Sequence, residues 1–220
     1  DIEKELSLSE GRFFKAGDAK STWLRYCGFL DLSLEEFTQI QGHLLMEQID
    51  LVADTVVGKE LLQGRRPASV EEFRRTVPLT SYKDYAPYLN DKRDDCFAKT
   101  EHVWIQTSAQ GGLFKRVPWA SRFQKVQGRN VIAALILSSS PAKGEVAVAP
   151  GIKVLLILPG KPFASACLAS SLAEHFPARV LPPLDESEKM TFRRKIDAGL
   201  RMGLTEDIDF VISITSSLLR

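Results

Sequence analysis

Soft and redox-active side chains are scarce in this chain. Cys27, Cys96 and Cys167 are its only cysteines in 220 residues. They are far apart and odd in number, which argues against a disulfide framework or a zinc site and suits reduced thiols in a cytosolic protein. Such residues fill space as small apolar groups. His43, His102 and His175, the only histidines, have no partner at i+4 or at a metal-ligand spacing, and are read as surface or core residues. Long apolar runs are also missing. The longest, Val131 to Leu137, falls far short of the ~20 residues a membrane span requires. The opening Asp1-Ile2-Glu3-Lys4-Glu5 has neither the basic nor the apolar part of a signal peptide, so a cytoplasmic location without membrane association is expected. Excess charge is absent as well: 29 basic and 28 acidic residues leave a net charge of +1, interleaved along the chain, and no nucleic-acid partner is expected. Ser165, Ser170 and Ser171 have no G-x-S-x-G setting, which leaves a hydrolase triad unsupported.

What is present is ordinary globular material, 44% hydrophobic and 26% charged. Residues 1–90 read as helical. Ser33 to Glu36 is a capping box, followed by Phe37, Ile40, Leu44, Leu45, Leu51, Val52 and Val56 near helical spacing until Gly58 stops the helix. Ser69 with Glu72 caps a short helix ending before Pro78, and Thr80 or Ser81 caps another turn. Gly64-Arg65-Arg66-Pro67 is a basic surface turn and Asp91 to Asp95 a solvated charge run. Residues 91–220 read as α/β. A helix runs from Ser121 to about Leu137, weakened at Gly128, and the apolar run Lys153 to Leu158 is a strand covered on both faces. Pro159-Gly160 breaks it; Gly160-Lys161-Pro162 is read as a plain turn that could accept an anion. Ala164 to His175 is a helix, Val180-Leu181 a short strand, Asp185 to Gly203 a helix and Phe210 to Ile214 a last strand. The expected fold is therefore α/β: a largely parallel sheet with flanking helices, on which the helical N-terminal third packs.

The stretch Val103 to Pro118, VWIQTSAQGGLFKRVP, is the densest chemical signal. It reads as strand, small-residue loop, strand, with Pro118 at its end. A hairpin-like turn is the minimum reading. Thr107 and Ser108 beside Gly111 and Gly112, with Lys115 just beyond, are also the ingredients of a phosphate cradle. Trp104 and Trp119 flank the loop, either as core or as the lining of an acyl or aryl pocket.

This loop resembles the T-S-G-T-T-G-x-x-K phosphate loop of the adenylate-forming superfamily. Thr107, Ser108, Gly112 and Lys115 match the pattern, whereas Ala109, Gln110 and Gly111 depart from it. Upstream, Val77-Pro78-Leu79-Thr80-Ser81-Tyr82 with Tyr85 and Tyr88-Leu89 is similar to the lead-in of the plant acyl-acid amido synthetases and their bacterial relatives. Arg179 to Pro183, Glu188 to Met190 and Asp207 to Phe210 also resemble that branch, which extends the likeness over residues 73–217.

The resemblance implies a carboxylate attacking the α-phosphate of Mg-ATP to give an acyl-adenylate, followed by transfer to an amine or thiol. ATP and Mg²⁺ are the implied cofactors, and a small carboxylic acid with an amine or thiol acceptor the implied partners. Thr107, Ser108 and the Gly111 and Gly112 amides would hold the β- and γ-phosphates, and Lys115 would be the catalytic cation near the leaving pyrophosphate. It further implies that the chain is the N-terminal part of a larger enzyme, an incomplete large domain without the adenine motif or C-terminal domain. The departures at Ala109 to Gly111 leave two further possibilities: a nucleotide- or acyl-binding module without catalysis, or a structural α/β domain.

Overall fold

The computed structural model describes residues 18–107 and 114–215. Contacts divide it into two units, Phe29–Ser121 and the combination of Asp1–Gly28 with Arg122–Arg220. The change of character near residue 90 in the sequence therefore lies inside the first unit.

Helix α1 (Ala19–Cys27) starts on Asp18, whose carboxylate accepts the Ser21 N–H at 2.9 Å. It contributes Trp23, Tyr26 and Cys27 to the core of the second unit. A 3₁₀ turn, Gly28–Asp31, leads to α2 (Leu34–Val52). The expected capping box is present: the Glu36 N–H donates to Ser33 Oγ at 3.2 Å, and the Ser33 N–H to the Glu36 carboxylate at 2.8 Å. The helix stops at Val52, six residues before the glycine expected to end it. Thr55 instead caps a new helix, α3 (Val56–Leu61), accepting the Gly58 N–H at 2.9 Å. Gly58 has a different task. A Cβ there would fall 1.8 Å from the Val52 carbonyl oxygen, so only glycine lets α3 fold back on the end of α2. Helix α4 (Val70–Thr76) takes its cap from Ser69. Ile49, Ala53 and Leu62 form a small core there, with Leu45, Met46, Phe73 and Val77 around it.

Helix α5 (Tyr82–Asn90) opens on a Ser81–Asp84 capping box, and a 3₁₀ turn (Asp94–Cys96) follows. Strands β1 (His102–Gln106) and β2 (Arg116–Ala120) then pair antiparallel, with His102 opposite Ala120 and Gln106 opposite Arg116. Among the described residues this hairpin forms a two-stranded sheet of its own.

In the second unit, α6 (Ser121–Ser139) precedes β3 (Lys153–Ile157), α7 (Ala164–His175), β4 (Arg179–Leu181), α8 (Leu184–Ser187), α9 (Phe192–Thr205) and β5 (Phe210–Ser213). The single helix expected over Asp185 to Gly203 is two. Thr191 is extended, with ψ 153°, and its hydroxyl accepts the Arg194 N–H at 3.4 Å, so a cap interrupts the helical pattern beside Met190. Strand order is β4-β3-β5, all parallel. Period-two alternation sends Val154, Leu156 and Leu158 to one face, with Leu172 and Ala169 of α7, and Leu155 and Ile157 to the other, with Phe192 and Ile196 of α9. Gly128 is a packing residue: a Cβ would meet the His175 ring 2.5 Å from Nδ1, so its lack of a side chain admits that ring. Among the described residues, no helix is long and apolar enough to cross a membrane.

Candidate phosphate-loop site

The hairpin ladder extends one step past its assigned strands, since the Thr107 N–H donates to the Lys115 carbonyl at 2.9 Å. The first and last residues of the phosphate-loop pattern thus face each other across the mouth of the loop. Ser108, Gly111 and Gly112, along with Ala109 and Gln110, lie outside the described residues.

The lead-in motif and the loop come together through Tyr82, in the first turn of α5. Its hydroxyl accepts the Arg116 N–H at 3.1 Å and donates to Asn90 Oδ1 at 3.1 Å. Arg116 returns to the same helix, donating from Nη1 to the Asn90 carbonyl at 2.7 Å. The exposed Lys115 ammonium lies over the Tyr82 ring, 5.3 Å from its centroid. At an exposed site this cation–π contact is worth about 0.5–1 kcal/mol, enough to hold the ammonium and little enough to release it. The sequence marked Tyr82 as part of a motif. Its role as the support of Lys115 became visible only when α5 and β2 were placed side by side.

Trp104 and Trp119 do not line one pocket. Trp104 stands opposite Pro118 and Trp119 opposite Val103, so the pleat puts the two indoles on opposite faces of the hairpin. Trp104 is not plain core either, because it is half-buried and its Nε1–H donates to Asp94 Oδ1 at 2.8 Å. The same oxygen lies 3.0 Å from His102 Nε2, while His102 Nδ1 lies 2.8 Å from the Thr100 carbonyl. The Trp104 indole first and His102 second hold the Asp94 carboxyl below the usual aspartate range. What reads as a solvated charge run therefore anchors the base of the hairpin. Beside it, Arg93 forms a two-point pair with Asp95, at 2.8 and 2.7 Å, and this lowers the Asp95 carboxyl to about 2.

Sequence spacing also missed His43, whose Nε2 lies 3.3 Å from Glu47 at i+4 on α2. In the basic turn, Arg66 faces Asp50 and Asp54 at 3.5 and 3.4 Å, which leaves it serving as a helix-surface clamp. Among the described residues, no group of three His, Cys, Asp or Glu is arranged to hold a metal ion.

No curated protein and no solved structure matches the chain. Residues 27–108, which cover well under half of the sequence and run into the mouth of the loop, match the family model described as the GH3 family N-terminal domain.

Proposed function

We propose that this chain supplies the phosphate-loop part of an ATP-dependent acyl-adenylating ligase of the acyl-acid amido synthetase type. The observation that carries this reading is the joining of the lead-in motif to the loop: Tyr82 bonds the backbone next to Lys115 and supports its ammonium. The match of residues 27–108 to the GH3 family N-terminal domain supports it from the sequence side, since that family includes acyl-acid amido synthetases.

In the proposed reaction, ATP supplies the electrophilic α-phosphate, with Mg²⁺ carried on its phosphates. The donor set fits such a ligand, with one exposed ammonium and one hydroxyl residue at the mouth of a glycine-bearing loop. Magnesium commonly relies on substrate phosphates and one or two carboxylates, so a dedicated protein cage is not required. Lys115 leaves the Tyr82 ring to meet phosphate oxygens as charge builds on the departing pyrophosphate. Thr107, fixed by its backbone bond to Lys115, presents its hydroxyl at the loop entrance. Ser108 and the Gly111 and Gly112 amides complete the cradle. The gain comes from positioning and charge stabilisation.

ATP–pyrophosphate exchange over a panel of carboxylic acids tests the proposal, with Lys115→Ala as control. Acid-dependent exchange that collapses in the variant supports it, while equal exchange in both removes Lys115 from the reaction. The departures at Ala109, Gln110 and Gly111 favour one second reading, a nucleotide-binding module without catalysis. It predicts Mg-ATP binding without exchange for any acid.

A further inference from the structure

The basic turn after α3 closes a cavity. Helix α2 ends at Val52, Thr55 caps α3, and α3 stops at Leu61. Gln63 and Gly64 then take φ values of 53° and 70°, in the left-handed region, and the Gly64 N–H donates to the Lys59 carbonyl at 2.8 Å. The chain thereby returns to the end of α2, where Arg66 Nη2 donates to the Asp50 carbonyl and to the Asp54 carboxylate, both at 3.4 Å. The space enclosed is about 360 Å³, lined by Ala53 and Asp54 after α2, Lys59 of α3, and Gly64, Arg65 and Arg66 of the turn. That volume suits a small molecule. Nothing lies within 4 Å of the place a Gly64 Cβ would occupy, so the backbone there is open to a ligand.

Charge in this cavity is unbalanced. Three cations line it against one carboxylate. Arg66 is committed, with Nε 3.5 Å from Asp50 and Nη2 3.4 Å from Asp54. Glu60, beside Lys59 in the sequence, accepts from the Tyr88 hydroxyl. Lys59 and Arg65 are left over: among the described residues their side chains form no hydrogen bond or ion pair. Both are exposed, so neither supports the core. Two uncommitted cations on one concave surface concentrate anions there. An apolar ligand finds little to hold it, because Ala53 is the only apolar side chain in the lining. A guanidinium offers a planar fork that matches phosphate or carboxylate, and an ammonium beside it adds a point charge. A carboxylate would satisfy the fork alone. A phosphate monoester, with nearly two charges and three acceptor oxygens, uses both cations.

We propose that this cavity binds the phosphate group of a small phosphorylated molecule, with Lys59 and Arg65 as the binding cations and Arg66 as the clamp that holds its wall. The site is separate from the hairpin loop and does not depend on the loop's function. The test is an NMR titration of the Lys115→Ala chain with inorganic phosphate at constant ionic strength, which removes the hairpin cation from the measurement. The Gly64 amide shifts saturably, and glycerol 3-phosphate, a monoester small enough for the cavity, moves the same amide. Acetate at the same ionic strength does not. These readouts are independent of how any cavity variant folds. Adding Lys59→Met and Arg65→Gln together raises the phosphate dissociation constant at least tenfold with Tm unchanged, whereas Lys83→Gln, at an exposed lysine of α5 outside the lining, leaves it as it was. A Gly64 amide unmoved by phosphate or by glycerol 3-phosphate, an equal response to acetate, a dissociation constant indifferent to the double substitution, or an equal weakening by Lys83→Gln each overturns the assignment.

Discussion

The unit Phe29–Ser121 and the unit built on the parallel sheet reach stability by different means. The sheet unit buries Ile132, Ile136, Val154, Ile157 and Leu172 almost completely, and both faces of β3 are covered. Among the described residues of the other unit, the buried cluster has three members, Ile49, Ala53 and Leu62, with Val57, Leu89, Cys96 and Ile105 buried apart from it, while Leu34, Phe37, Ile40, Leu44 and Leu51 of α2 stay substantially exposed. Its order comes from polar detail: three Ser caps, the Tyr82 hydroxyl bridging α5 and β2, and Asp94 gripping the hairpin base. Apolar burial supplies bulk stability without fine direction, whereas a hydrogen bond contributes about 1 kcal/mol and fixes an angle. The proposed phosphate loop rises from the unit organised by direction, which is also where the family match falls.

The largest effect should come from the packed unit. Ile132→Ala removes a side chain with no exposed surface and should cost about 2–5 kcal/mol in urea unfolding. A loss under 1 kcal/mol would show that the sheet core is loose and that the contrast between the units is false. Next comes the contact between α6 and α7. Gly128→Ala gains about 1 kcal/mol of helix propensity but drives a methyl into the His175 ring, where overpacking costs about 1–3 kcal/mol. Net destabilisation is expected, relieved by His175→Ala in the same chain; additive losses in the double variant would contradict the close approach.

Much of this contrast is legible in the sequence. Ser33, Ser69 and Ser81 act as caps because their hydroxyls and the acidic residues three positions later are local features, and local features survive folding. Strand β3 is legible for a similar reason, as a continuous apolar run has few alternatives. Contacts between distant segments are not legible. Nothing near Tyr82 announces Arg116, 34 residues on, and nothing near Asp94 announces Trp104. Gly58 misleads because glycine signals both a stop and a close approach, and the backbone of Val52 decides which. Lys195 passes unnoticed because a lysine on an amphipathic helix is ordinarily solvated, whereas this one is only 6% exposed.

Smaller effects sharpen the directional side. Tyr82→Phe keeps the ring beneath Lys115 and loses the hydroxyl bridge, so it should cost about 1 kcal/mol and leave the Lys115 ring contact intact. An NMR ring-current shift on the Lys115 side chain that vanishes in this variant would mean the hydroxyl, rather than the ring, holds the cation. The smallest effect is pH-dependent. Asp95 is lowered from 3.8 to about 2 by Arg93, so its contribution is complete above its unfolded value and fades as pH falls from about 4 through about 2. The stability difference between wild type and Asp95→Asn should shrink across that window. A difference that is constant with pH would show that the pair adds nothing to folding.

A thermal-shift titration with Mg-ATP decides whether the hairpin carrying Thr107 and Lys115 binds nucleotide phosphates, as proposed. Wild type should gain Tm progressively, approaching about 2.7 kcal/mol of added stability at a hundred times the dissociation constant, while Lys115→Ala, folded equally well without ligand, should need far more Mg-ATP for the same shift. Identical titration curves for the two chains, or no shift in wild type at millimolar Mg-ATP, would contradict it.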